Sequence, residues 1–185
     1  MRQETPSYLR PQAGAYGSCY QRAMPTLRPY APKDYPHFLA LDLETAADAL
    51  GESTDQERAL LRERWPRILA ELHGFTAESF GAKDASLWVV EGEGGRYLGH
   101  LWLTEKRDPV HGGRLLEVTT MGIVRAARGE GLGRLLMHKA ETEARERGIG
   151  DIELSVAGNN RRARDLYRDL GYETVRRTMR KRLRP

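Results

Sequence analysis

Residues Arg128 to Met137 read RGEGLGRLLM. Glycines at 129, 131 and 133 run into an apolar stripe. Leu132, Leu135, Leu136, Ala140 and Ala144 recur at helical spacing, and Gly148 stops the pattern. The quoted stretch therefore opens a helix. The first turn of a helix carries N–H groups without intrahelical acceptors and roughly half a positive charge. Glycines there let a phosphate approach the backbone without meeting a Cβ. The stretch reads as a phosphate cradle, and its residue identities decide which phosphate it suits.

Two common cradles fail on those identities. A mononucleotide loop needs Lys and then Ser or Thr after its last glycine; here Arg134 and Leu135 follow Gly133. A dinucleotide fingerprint, G-x-G-x-x-G, counted from Gly129 ends on Arg134, and counted from Gly131 ends on Leu136. The pattern left is Arg128, Gly131 and Gly133, spaced as Arg-x-x-Gly-x-Gly.

The elements around it predict an α/β domain. Thr26–Tyr30 is a short strand. Pro32, Lys33 and Asp34 open a helix carrying Phe38, Leu39, Leu41 and Leu43. Thr54 and Asp55 start a second helix, whose stripe is Leu60, Leu61, Trp65, Ile68, Leu69 and Leu72, ended by Gly74. SLWVVEG and RYLGHLWLT alternate as a hairpin around EGGR, and RLLEVTTMGIV is the next strand. After the glycine loop and its helix, DIELSV is a strand that should lie parallel to its predecessor through a right-handed crossover. Asn160 caps a short helix with Ala163, Leu166, Tyr167 and Leu170, which Gly171 ends. RTMRKRL closes the order as a last strand.

Composition sets the limits. The chain has 185 residues, enough for one ordinary domain. Residues 1–23 carry little periodicity and read as an extension to a main domain over 24–185; either Met24 is the true start or the extension packs on a surface such as a second copy in a homodimer. Nothing resembles a membrane span or a secretory leader, so the default expectation is a cytoplasmic protein with no membrane partner. Cys19 is the single cysteine and the five histidines show no paired ligand spacing, so no metal is expected. From Arg161 onward there are ten Lys and Arg against three acids, while Asp42 to Glu57 holds six acids and no base. A basic end and an acidic middle suit an anionic cofactor and a cationic acceptor.

The segment NNRRARDLYRDLGY, with Asn160, Ala163, Leu166, Tyr167, Gly171 and Tyr172, completes a resemblance. With the Arg128/Gly131/Gly133 loop, one helix and one strand upstream, it is similar to the GNAT N-acetyltransferase superfamily. The likeness spans about residues 25–183 in element order and is strong in sequence from Leu116 to Tyr172. It implies a mixed central sheet in the order β-α-α-β-β-β-α-β-α-β with splayed central strands, and acetyl-coenzyme A as co-substrate. By that resemblance the pyrophosphate lies on Arg128, Gly129, Glu130, Gly131, Leu132, Gly133 and Arg134. The pantetheine arm pairs with Met121, Gly122 and Ile123, and Asn160 contacts the cofactor as well as capping its helix.

The resemblance also implies N-acetylation of a primary amine by direct attack in a ternary complex. Glu117 stands where one branch of the family keeps a general base. A base matters because a lysine-type amine at pH 7 costs about 4.6 kcal/mol to neutralise, whereas an α-amine costs about 1 kcal/mol. Another branch keeps its base on the following strand, where this chain has Ser155. Tyr167 is the expected general acid for the departing thiolate, and a backbone N–H near Ile123 the expected oxyanion donor. Two other readings are a non-catalytic acyl-coenzyme A sensor, against which Glu117 and Tyr167 argue, and a nucleic-acid binder using the Arg-rich end, which lacks a recognition helix or aromatic platform.

Overall fold

The computed structural model describes residues 24–51, 53–76, 84–108, 111–179, 181 and 183. Five strands form one sheet in sequential order: β1 (Thr26–Pro29), β2 (Ala85–Glu91), β3 (Tyr97–Arg107), β4 (Arg114–Ile123) and β5 (Asp151–Leu154). The first four are antiparallel, and β5 runs parallel to β4. The helices are α1 (Tyr35–Ala49), α2 (Asp55–His73), α3 (Leu132–Glu146) and α4 (Arg161–Asp169). The mixed sheet and the crossover through α3 agree with the sequence reading. The extension 1–23 lies outside the described residues.

Strand alternation splits the core between the two faces. On one face, Leu101 and Leu103 of β3 and Leu116 and Val118 of β4 pack with Leu132, Leu136, Met137 and Ala140 of α3. On the other, Leu87 and Trp102 pack with Phe38 of α1, Leu69 of α2 and Phe75. The predicted termini hold. Thr54 caps α2 through a reciprocal box with Glu57, and Gly74 ends that helix in the left-handed region at φ 62°.

Three expectations change. The described residues of RTMRKRL carry no strand, contrary to the closing strand its pattern predicts, and Met179 and Leu183 are exposed. Leu60 and Leu72 of α2 are exposed rather than buried, because this helix turns mainly Leu69 to the core. In α3 the buried arc passes over Met137 and Glu143, leaving Leu135 at the surface. Glu143 is tolerated there because Ser86, Trp88 and Arg147 all hydrogen-bond its carboxylate.

Near the start of the domain, Arg28 of β1 clamps buried Asp34 with two hydrogen bonds of 2.7 and 2.8 Å, and also binds Glu91 at 2.6 Å. Burial alone would raise the Asp34 pKa, but Arg28 and the Ala31 N–H outweigh it and hold the carboxyl below its ordinary value. This contribution to stability is full above the unfolded value of about 3.9 and is lost as pH falls through the lower folded one. Arg28→Met should cost about 2 kcal/mol at neutral pH. In thermal unfolding followed against pH, that deficit should begin to shrink below about pH 3.9 and vanish only below the lower folded value, where Asp34 is neutral in the wild type as well.

Candidate functional site

The site begins where β4 and β5 part. They share four register pairs, Leu115–Asp151 to Val118–Leu154, and then diverge. Beyond that point Thr119–Ile123 of β4 and Ser155–Ala157 after β5 form the walls of a cleft of about 740 Å³. The cleft runs on to the glycine loop, where Arg128, Gly129, Gly131, Leu132, Gly133 and Arg134 line it. Asn160, Arg162 and Tyr167 close it from α4, and Thr45 and Asp48 reach it from α1.

Local chemistry explains the loop. A 3-10 turn over Arg125–Ala127 ends β4 and redirects the chain. Gly129 and Gly131 have φ of 99° and 81°, a region that side-chain-bearing residues rarely adopt. Gly131 is the N-cap of α3 and, with no side chain, provides no cap. The N–H groups of Leu132, Gly133 and Arg134 are thus left for a ligand. Gly133 serves a different end: a Cβ there would stand 2.8 Å from Leu166 Cδ2, so a side chain would have to push the end of Leu166 aside.

The β4 wall carries a bulge. Trp102 pairs with Thr120 and Leu103 with Val118, so Thr119 is an extra residue. The bulge changes the alternation. Leu116 and Val118 face α3, and after it Met121 and Ile123 pack on that same side. Thr119 and Thr120 both turn to the opposite face, where Thr119 Oγ1 lies 2.8 Å from Thr104 Oγ1 and Thr120 Oγ1 donates to Asp42 at 2.7 Å. Gly122 is buried against α1, and a Cβ there would come within 2.9 Å of Leu41 Cγ. Its glycine is thus required by helix packing rather than by strand separation.

Most residues expected at the site meet in the cleft: Met121, Gly122, Ile123, Arg128, Gly129, Gly131, Leu132, Gly133, Arg134, Asn160 and Tyr167 all line it. Glu130 and Glu117 do not. Glu117 lies within the fully paired part of β4, opposite Thr104 of β3 and Glu153 of β5, and its carboxylate is bound by Lys106. Asn160 does cap α4, accepting from the Ala163 N–H at 3.1 Å. Tyr167 packs on the α3-side core, with its ring 5.9 Å from that of Tyr172, and burial pushes its phenol up to about 12.

The electrostatics differ from what charge counting along the chain suggests. Glu44 binds Arg125 at 2.9 Å and Arg128 at 3.3 Å, and Arg128 Nε also donates to the Ile123 carbonyl at 2.9 Å. Asp42 is buried, and Glu57 is used in the α2 cap. Asp42, Glu44 and Glu57 thus already have partners within the molecule, and Asp48, 3.9 Å from Arg125, is the acid of this stretch that lines the cleft. Arg162 is a site residue that sequence reasoning misses: its guanidinium approaches Gly129, standing 3.3 Å from where a Cβ would lie. Its position in the first turn of α4, two residues after the Asn160 cap, is the available signal. Among the described residues no group of three metal-ligating side chains comes together, and no helix is long and apolar enough to cross a membrane.

The model of the acetyltransferase (GNAT) family matches residues 49–172, more than half of the chain, and the chain belongs to that family. A mycothiol acetyltransferase from Beutenbergia cavernae is 39% identical over 90 residues, covering 48% of this chain and 29% of that protein. The chain spans less than two thirds of the length of the curated relatives it matches. Among solved structures, a putative acetyl transferase from Pyrococcus furiosus superposes with a TM-score of 0.72 at 24% identity, covering 86% of this chain and all of that one. A predicted acetyltransferase from Clostridium acetobutylicum, solved with acetyl-CoA, has a TM-score of 0.58 at 18% identity, covering 86% of this chain and 96% of that one. These structural likenesses bear on the fold.

Proposed function

We propose that the protein transfers the acetyl group of acetyl-coenzyme A to a primary amine by direct attack in a ternary complex. The observation that carries this reading is the continuity of one cleft. It joins an uncapped helix N-terminus, a parted strand edge and the Tyr167 phenol. The residues present fit the co-substrate. The α3 N–H groups with Arg128, Arg134 and Arg162 match a diphosphate. The β4 edge beyond Val118 has backbone groups free on the β5 side to pair with the amides of a pantetheine arm.

Each residue then has one task. Glycine-loop amides hold the diphosphate, and the β4 edge orients the arm. Backbone N–H groups near Ile123 stabilise the carbonyl oxygen as it gains charge. Tyr167, protonated throughout the neutral range, donates to the sulfur as it leaves. The acceptor enters from the α1 side, where Asp48 favours a cationic amine.

Two measurements test the proposal. Acetyl-coenzyme A at a hundred times its Kd should stabilise the fold by about 2.7 kcal/mol in a thermal shift, whereas DNA and RNA should give none. Free thiol should appear when glycinamide, spermidine, glucosamine or a mycothiol-related amine is added; the last belongs in the panel because relatives carry the name mycothiol acetyltransferase. A stabilised protein that releases no thiol with any of them would be a sensor and would overturn the reading.

A further inference from the structure

Behind the cleft lining, on its α1 side, lies a carboxylate that the sequence reading did not single out. Asp42 of α1 is 4% exposed. One oxygen accepts from Thr120 Oγ1 at 2.7 Å and the other from Trp65 Nε1 at 2.9 Å. No ion pair to it occurs among the described residues, in contrast to Glu44, Glu117 and Glu143, each of which has a basic partner. A buried, ionisable group whose direct hydrogen-bond donors are both neutral is costly to keep for structure alone. Its partner Thr120 lines the cleft beside Met121, at the level where the strands part.

We propose that Thr120 and Asp42 form the proton-accepting arm of the site, Thr120 touching the acceptor amine and Asp42 acting through it. The proposal rests on the acetyltransferase reading above. The transfer balances without any further reactant. An ammonium N–H bond breaks as its proton passes to Thr120 Oγ1, and the Thr120 O–H proton passes to the Asp42 oxygen it already points at. A neutral amine and a neutral carboxyl result. After product leaves, the same hydroxyl returns the proton to water in the cleft.

Two other observations support this assignment. The bulge at Thr119 is what aims Thr120 at α1, and regular alternation would have turned it to the α3 face. Burial raises the Asp42 pKa against the opposing effects of Thr120, Trp65 and nearby His73, which moves it toward the range useful to a base. The titratable groups facing it are His73 from α2 and Tyr97 from β3. Glu117, held by Lys106 away from the cleft lining, has no comparable path.

The test uses the full chain, acetyl-coenzyme A and whichever of glycinamide, spermidine and glucosamine the wild type acetylates fastest. Thr120→Val should lower kcat/KM for the amine about a hundredfold or more at pH 7. Acetyl-coenzyme A affinity should stay within about twofold, since the loop is untouched. Thr120→Ser should restore most of the rate, because it returns the hydroxyl. Asp42→Asn should match Thr120→Val, and in both the rate should rise with pH as the free amine does, without the wild-type acidic limb. Thr120→Val with wild-type rate and pH profile, or a serine that fails to rescue, overturns the relay alone. A wild type that turns over none of the amines overturns the acetyltransferase reading and the relay with it.

Discussion

Gly131→Val should weaken acetyl-coenzyme A binding by between about fivefold and about a hundredfold while the protein still folds. The position has φ 81°, and nothing lies within 4 Å of where a Cβ would stand, so the substitution meets no neighbour. Its cost comes from the backbone. A β-branched residue is an outlier in the left-handed region, and holding it there costs on the order of 1–3 kcal/mol. Relaxing that strain rotates the first N–H groups of α3 away from the diphosphate, so the same energy reappears as lost affinity. Isothermal calorimetry measures it directly. Gly150→Ala is the control, because Gly150 has neither a positive φ nor a neighbour within 4 Å. Unchanged affinity in Gly131→Val would separate the loop from phosphate binding.

Tyr167→Phe should lower kcat by about 10²–10⁴-fold with acetyl-coenzyme A affinity nearly intact. The phenyl ring keeps the packing against α3 and Tyr172, so only the hydroxyl is lost. Burial holds the wild-type phenol at about 12, so it stays protonated up to that pH and adds no basic limb to the rate profile below it. Single-turnover thiol release with calorimetry separates the outcomes. Equal losses in binding and rate would mark Tyr167 as a packing residue.

What could be read in the sequence was local. The glycine loop, the Thr54 and Asn160 caps and the Gly74 stop each depend on a few neighbouring residues, and the structure holds them as expected. Pairings across the chain were not legible. Glu44 looks like solvated charge until Arg128, 84 residues away, folds onto it. Asp42 looks the same until Thr120, 78 residues away, meets it. Glu143 interrupts an apolar stripe in sequence, yet it is buried because Ser86 and Trp88 arrive from β2 to satisfy it. The bulge at Thr119 left no mark, since VTTMGI alternates plausibly in either register and only pairing with β3 sets it.

That extra residue gives β4 something like a reading frame. Upstream of Thr119 odd-numbered positions look toward α1 and α2; downstream the odd-numbered Met121 and Ile123 look toward α3. One inserted residue therefore lets a single strand present threonine hydroxyls to the α1 side and apolar side chains to the α3 side. Removing it would exchange the two sets at once, as a frameshift does to codons, and neither half of the cleft would keep its chemistry.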